Sequence, residues 1–346
     1  MLRGYLTIMK STKINHANHF DLDMPLIGFG AMGISEFYGS TDRQESMNAI
    51  SNALNNGIIH FDTADGYAYG DNEKFLGDIL CLSDSITRRN LIIASKAGIL
   101  RDKNDPSVRG ICIEEKYLRE QLHKSLDNLK TDYLDIFYIH RLPPAASDDS
   151  LSSLSNFLLD IKKEGLVKSI GLSEPKLIQL NKIHSKCPVS FVQSEYSLLE
   201  RGVEHNGIID YCKDEEIKFV AYSPLCRGLL TDSFKFESLD DSDFRRSLPK
   251  FSDENISHNI SIVMKIKELA DLKRGTVSAL SIAWLLSQGV LVIPGMRKSQ
   301  RVNDVLTSLD IELTKDDLSF IDEIAHIGSA KGTRYASAAM EAYGFE

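Results

Sequence analysis

The chain has 346 residues, 42% hydrophobic and 26% charged, with a formal net charge of −9. A chain this long buries a large core without staples, so collagen-like, disordered and disulfide-scaffold classes are excluded. The acidic balance argues against nonspecific binding to nucleic acid or to an anionic membrane surface, and no apolar run approaches the ~20 residues of a membrane span.

Residues 1–24 read as an N-terminal extension, a plug for the bottom of a barrel. The apolar core of MLRGYLTIMK is too short for a signal peptide, and Met9 is an alternative start. The five cysteines are scattered, with neither CxxC nor zinc-type Cys/His spacing, which predicts reduced thiols in a cytoplasmic protein.

Eight short apolar, β-branched or aromatic runs follow: 25–30, 57–61, 90–95, 132–139, 166–172, 190–193, 217–222 and 290–294. Helical patterns separate them. Thr41 and Gln44 suggest a capping box before MNAISNAL. Leu118, Leu122, Leu126 and Leu129 fall on one helix face in 115–129. Thr276 opens a helix that Gly289 ends, and further helices are expected over 299–308 and 315–326. Strands alternating with helices predict parallel β/α units, as a closed (β/α)₈ TIM barrel or a large open sheet. Residues 225–256 lack periodicity and read as a long functional cover.

Gly28, Gly30 and Gly33 spell GxGxxG after the first run, the outline of a dinucleotide fingerprint. That fingerprint needs a helix opening at the glycines and an acidic residue ~20 positions on. Here ISEFYGSTD intervenes and Asp62 stands 29 positions beyond Gly33, so a tight turn at a strand end is the preferred reading.

Barrel chemistry gathers at the C-terminal strand ends. Those ends carry Asp62, Lys96, His140–Arg141, Ser173–Glu174, Gln193, Tyr222–Ser223 and Pro294–Gly295. Lys96 follows an apolar run, so its ammonium needs a partner, and Asp62 is the natural one. Tyr67 lies on the loop beyond Asp62. A nearby ammonium lowers a phenol's pKa, and a three-unit drop takes roughly 4 kcal/mol. Such a tyrosine can protonate a carbonyl oxygen as it becomes an alkoxide, with His140 hydrogen-bonding the same oxygen.

A hydride source is then required. Gly295 precedes Arg297, Lys298 and Arg301 at a helix start, a place suited to a ribose 2′-phosphate. Ser173 and Gln193 suit a nicotinamide carboxamide, and Tyr222 offers a flat stacking face.

In combination these residues resemble the aldo-keto reductase superfamily over nearly the whole chain. The match runs from FDTADGY (61–67) with Gly70 and Asn72–Glu73 through Ser95–Lys96, Tyr138–His140, Gly171–Ser173, Gln193, Tyr222–Leu225 and Ile293–Gly295. GFGAMGISEFYG, FRRSLPKF (244–251) and GTRYASAAM (332–340) look most like the general bacterial and plant branch. The resemblance implies a single (β/α)₈ barrel over 25–330, a C-terminal tail over 331–346 near the active site, NADPH/NADP⁺ as cofactor and no metal. It implies a catalytic tetrad of Asp62, Tyr67, Lys96 and His140. Cofactor contacts fall on Ser173, Glu174, Gln193, Tyr222, Ser223, Pro224, Leu225, Gly228, Gly295, Arg297, Arg301 and Asp304.

Three positions depart from the commonest pattern: Glu174 stands where many members have Asn, Val305 follows Asp304 where an Asn usually meets the adenine, and Ala68 replaces a frequent glycine, read here as neutral. The function expected is NADPH-dependent reduction of a small carbonyl substrate, with oligomeric state open. A nicotinamide-binding regulatory or sensor subunit, and a barrel isomerase or lyase using the basic turn for a phosphorylated substrate, are the alternatives.

Overall fold

A computed structural model describes residues 11–14, 22–39, 41–105, 107–240 and 243–345. Met9, most of the expected plug and its immediate surroundings lie outside the described residues. All eight apolar runs give strands: β1 (Phe29–Gly30), β2 (His60–Asp62), β3 (Ile92–Ala97), β4 (Leu134–Ile139), β5 (Val167–Ser173), β6 (Phe191–Glu195), β7 (Lys218–Tyr222) and β8 (Leu291–Ile293). Each pairs in parallel with the next. Around β1 and β8, Ile27 pairs with Val292 and Gly30 with Gly295, also in parallel, which closes the sheet into a (β/α)₈ barrel.

This closure explains the GxGxxG run. A Cβ on Gly28 would meet His60 Nδ1 at 2.4 Å, and one on Gly30 would meet the Ile293 carbonyl oxygen at 2.6 Å. The glycines let the first and last strands approach, and the next α-helix does not begin until Arg43. Its N-cap is Asp42, which accepts from the Glu45 N–H at 3.1 Å, one position beyond the expected Thr41.

The remaining helices follow the sequence pattern. Glu115–Leu129 buries Leu118, Leu122, Leu126 and Leu129. Thr276 caps Val277–Ser287, and Ser299–Leu306 and Lys315–Ile324 follow β8. The long stretch after β7 carries short 3₁₀ turns, Cys226–Gly228, Phe236–Ser238, Phe244–Ser247 and Pro249–Phe251, over the top of the barrel. An antiparallel hairpin, Ile99–Arg101 with Arg109–Ile111, extends β3 beyond the rim.

Alternate residues of a strand face opposite sides. Ile92 and Ala94, Ile136 and Tyr138, Phe191, Val220, Leu291 and Ile293 form the inner cluster, and Met24 packs into it from the chain's N-terminal side. The same parity carried two residues onward turns Lys96, His140, Gln193 and Tyr222 inward at the C-terminal rim. Gly171 makes room for this layer, since a Cβ there would meet the Tyr138 ring at 2.3 Å.

Candidate active site

Asp62 ends β2 and Lys96 lies near the end of β3, so the two side chains meet inside the barrel. Lys96 is fully buried, ion-pairs with Asp62, donates to the Thr63 carbonyl at 2.7 Å and lies 3.4 Å from Tyr67 Oη. Gln193 Nε2 donates to the other Asp62 oxygen at 2.9 Å. The Tyr67 and His140 rings stand edge to face, centroids 5.8 Å apart.

The electrostatics differ in one respect from the sequence expectation. Burial pushes the Tyr67 phenol above its usual value, and the Lys96 ammonium only partly offsets this. Asp62 in turn holds Lys96 above the ordinary ammonium value, against the effect of burial. Burial, followed by the charges of Arg141, Lys96 and Arg101, holds His140 well below the usual imidazole value, so the ring is neutral. Among the described residues its Nδ1 has no partner.

Tyr67 opens the 3₁₀ turn Tyr67–Gly70, in which Ala68 takes φ 45° and Tyr69 φ 57°. Ala68 is therefore not neutral: a left-handed conformation costs a residue with a Cβ roughly 1–2 kcal/mol.

These groups open onto a cavity of about 1090 Å³. Asp62, Tyr67, His140, Ser173, Gln193 and Tyr222 line one part of it. Ser223, Pro224, Leu225 and Gly228 line it from the loop after β7, and Gly295, Arg297, Lys298, Arg301 and Asp304 from the segment after β8. A smaller cavity, lined by Thr41, Asp42, Glu45, Ser46, Arg297 and Lys298, adjoins the basic turn. Val305 is fully buried in the main core.

Glu174 is held elsewhere. Its backbone is left-handed, φ 53°, and its carboxylate accepts from the Glu195 N–H at 2.8 Å and ion-pairs with Arg334 of the tail. Arg334 also reaches Glu195 at 3.3 Å and Tyr222 Oη at 2.9 Å, while Arg227 pairs with Glu195 at 2.9 Å. Arg334 holds the Glu174 carboxyl below the usual range despite burial. Tyr335, Ala339 and Tyr343 bring the tail into the cavity wall. Sequence reading placed the tail near the site without finding this network, whose partners Glu174 and Arg334 are 160 positions apart.

The residues fit a dinucleotide phosphate. Gln193, having given its amide N–H to Asp62, keeps its carbonyl oxygen for a carboxamide NH₂, and the Ser173 hydroxyl can still donate. Arg297 and Lys298 lie at the start of the helix Ser299–Leu306, where a helix N-terminus favours anions. A Cβ on Gly295 would meet only open space. Among the described residues no group of three or more His, Cys, Asp or Glu side chains could hold a metal.

Residues 26–326 match the model of the aldo/keto reductase family. The chain belongs to that family. An aldo-keto reductase of Gibberella moniliformis is 35% identical to it, over 94% of this chain and 97% of that protein. A Schizosaccharomyces pombe aldo-keto reductase whose name specifies NADP(+) is 30% identical over 90% and 92%. Among solved structures, a glycerol dehydrogenase from Gluconobacter oxydans shares the fold with a TM-score of 0.80 at 23% identity, covering 91% of this chain and 95% of that one.

Proposed function

We propose that the protein reduces an aldehyde or ketone to an alcohol with NADPH, with Tyr67 as general acid. The observation that carries this reading is the buried chain from Asp62 through Lys96 to Tyr67 Oη at the floor of the cavity. The family and the NADP(+) in a relative's name support the cofactor.

Bound nicotinamide supplies the hydride. Everything else falls to the chain. Tyr67 stays protonated at neutral pH, as a proton donor must. When its proton passes to the substrate oxygen, the phenolate left behind is stabilised by the Lys96 ammonium, which Asp62 keeps charged. Neutral His140 has one N–H to orient the same oxygen, and its low pKa prevents a second charge beside Lys96. Ser173 and Gln193 hold the carboxamide, Tyr222 offers its ring face to the nicotinamide, and Arg297 and Arg301 receive the 2′-phosphate.

The test is an NADPH-oxidation screen across aldehydes and ketones, run beside Tyr67→Phe. Loss of turnover with retained NADPH binding is expected. Wild-type turnover in Tyr67→Phe, or tight NADPH binding with no carbonyl reduced by the wild type, would overturn the reading.

A further inference from the structure

Arg141 follows His140 at the rim and is 8% exposed. One terminal nitrogen, Nη1, donates to the His140 carbonyl at 2.6 Å and to Ser173 Oγ at 2.8 Å. Among the described residues the other, Nη2, makes only a 3.5 Å contact with Tyr222 Oη, and Nε is buried with no acceptor. The acceptors it does have are all neutral. Arg334 and Arg227 take the two neighbouring carboxylates, Glu174 and Glu195, and among the described residues no carboxylate ion-pairs with Arg141. Three guanidiniums thus share two carboxylates, leaving one positive charge in the wall of the cavity that Tyr67 and His140 also line. The Tyr343 and Phe345 rings of the tail stand 5.7 Å from the Arg141 guanidinium carbon.

A buried charge without a counter-ion is costly unless something supplies one. Nε is closed off inside the protein, whereas Nη2, whose contact with Tyr222 Oη is long, keeps hydrogens for a charge-assisted bond to an anion in the cavity. A nicotinamide carboxamide is neutral and cannot cancel the charge. A single uncompensated charge matches a carboxylate better than a doubly charged phosphate.

We propose that Arg141 recognises an anionic substituent of the substrate, and that the enzyme favours carbonyl compounds carrying a carboxylate within a few carbon atoms of the reacting carbonyl. This rests on the reading that the carbonyl is reduced at Tyr67. Arg141 is bonded to the His140 carbonyl and lines the same cavity as Tyr67 and His140, so a carboxylate held by it lies close to the reacting group. The flanking tail rings favour a flat substrate.

The experiment compares kcat/KM for 3-formylbenzoate and 4-formylbenzoate with their methyl esters, in the wild type, Arg141→Met and Arg141→Lys. A charge-assisted, buried contact predicts that the wild type favours an acid over its ester by about tenfold to a hundredfold. In Arg141→Met that ratio should fall to near one, chiefly through KM for the acid. Arg141→Lys keeps the charge without the planar guanidinium and should retain part of it. NADPH affinity, measured by cofactor fluorescence, separates the substrate role from a cofactor role. Three results would overturn the proposal: no acid preference in the wild type, equal losses for acid and ester in Arg141→Met, or a fall in NADPH affinity as large as the fall in acid preference. The wild-type ratio stands even if Arg141→Met misfolds. Failure to reduce either acid or ester would instead count against carbonyl reduction itself.

Discussion

Lys96 Nζ lies 3.4 Å from Tyr67 Oη and is ion-paired on its other side with Asp62. The ammonium is fully buried, so it acts on the phenol without screening by water.

Lys96→Met should therefore lower kcat for carbonyl reduction by about 10²-fold, within the range that general acid catalysis contributes. The phenol pKa, already raised by burial, rises further without the ammonium. In the wild type the reduction rate should be level through neutral pH and fall only above the ordinary phenol value near 10, where the proton donor is lost. The reverse reaction needs the phenolate and should rise with pH over the same region. A pH–rate profile in both directions checks the assignment, and a decline in reduction centred near neutral pH would contradict it.

Asp65 gives a stability prediction. Its Oδ1 is buried without a partner among the described residues, and burial followed by the charge of Glu73 pushes its pKa from 3.8 to about 8. Below pH 3.8 the proton is held in both folded and unfolded states, and between 3.8 and about 8 chiefly in the folded state. The unfolded state binds fewer protons in that window, so this group's contribution to stability falls as pH rises through it. Asp65→Asn removes the dependence. Its melting temperature should exceed that of the wild type at pH 8, and the gap should close towards pH 4. A constant gap across pH would show that Asp65 does not titrate there.

Cofactor choice follows from the basic turn. Arg301 lines the cavity and lies 4.0 Å from Asp304, a loose pairing that leaves its charge available. Arg301→Ala should weaken NADPH binding about tenfold or more, as expected for a charge-assisted contact, and NADH binding far less. Fluorescence titration of both cofactors decides it. Equal losses would mean that this arginine does not read the 2′-phosphate.

The barrel was legible because each strand announces itself as a short apolar run and the parity of side chains is fixed by a period of two. Counting forward from Ile92 and Ala94 already turns Lys96 inward, and from Ile136 and Tyr138 it turns His140 inward. Gly28 and Gly30 resemble a dinucleotide fingerprint in outline, because close approach of strands and close approach to a pyrophosphate demand the same residue, and the late helix start already favours the strand-end reading. The fate of Glu174 could not be read. The resemblance put it among the cofactor contacts, but its partner Arg334 lies in the tail, and no local pattern encodes a contact across 160 positions. Arg141 was visible only as a polar residue at a strand end. Its missing counter-ion emerges only when the neighbouring carboxylates are seen to be taken.

The Arg334–Glu174 pair gives the last prediction. Their side chains are 12% and 7% exposed, so breaking the pair leaves a buried charge rather than a solvated one. Removing one partner of such a pair typically costs about 3–5 kcal/mol. Arg334→Met leaves Glu174 unpaired, although Glu195 keeps Arg227. Glu174→Gln leaves Arg334 with Glu195 and should cost less. The double variant removes both charges and should be more stable than the sum of the single losses implies, with a coupling of about 1–3 kcal/mol. Chemical denaturation of the four proteins closes the cycle. Because Arg334 also holds Tyr222 Oη at 2.9 Å and is followed by Tyr335 in the cavity wall, the same variants should raise KM for the carbonyl substrate. Additive losses with an unchanged KM would show that the tail is held by its aromatic contacts alone.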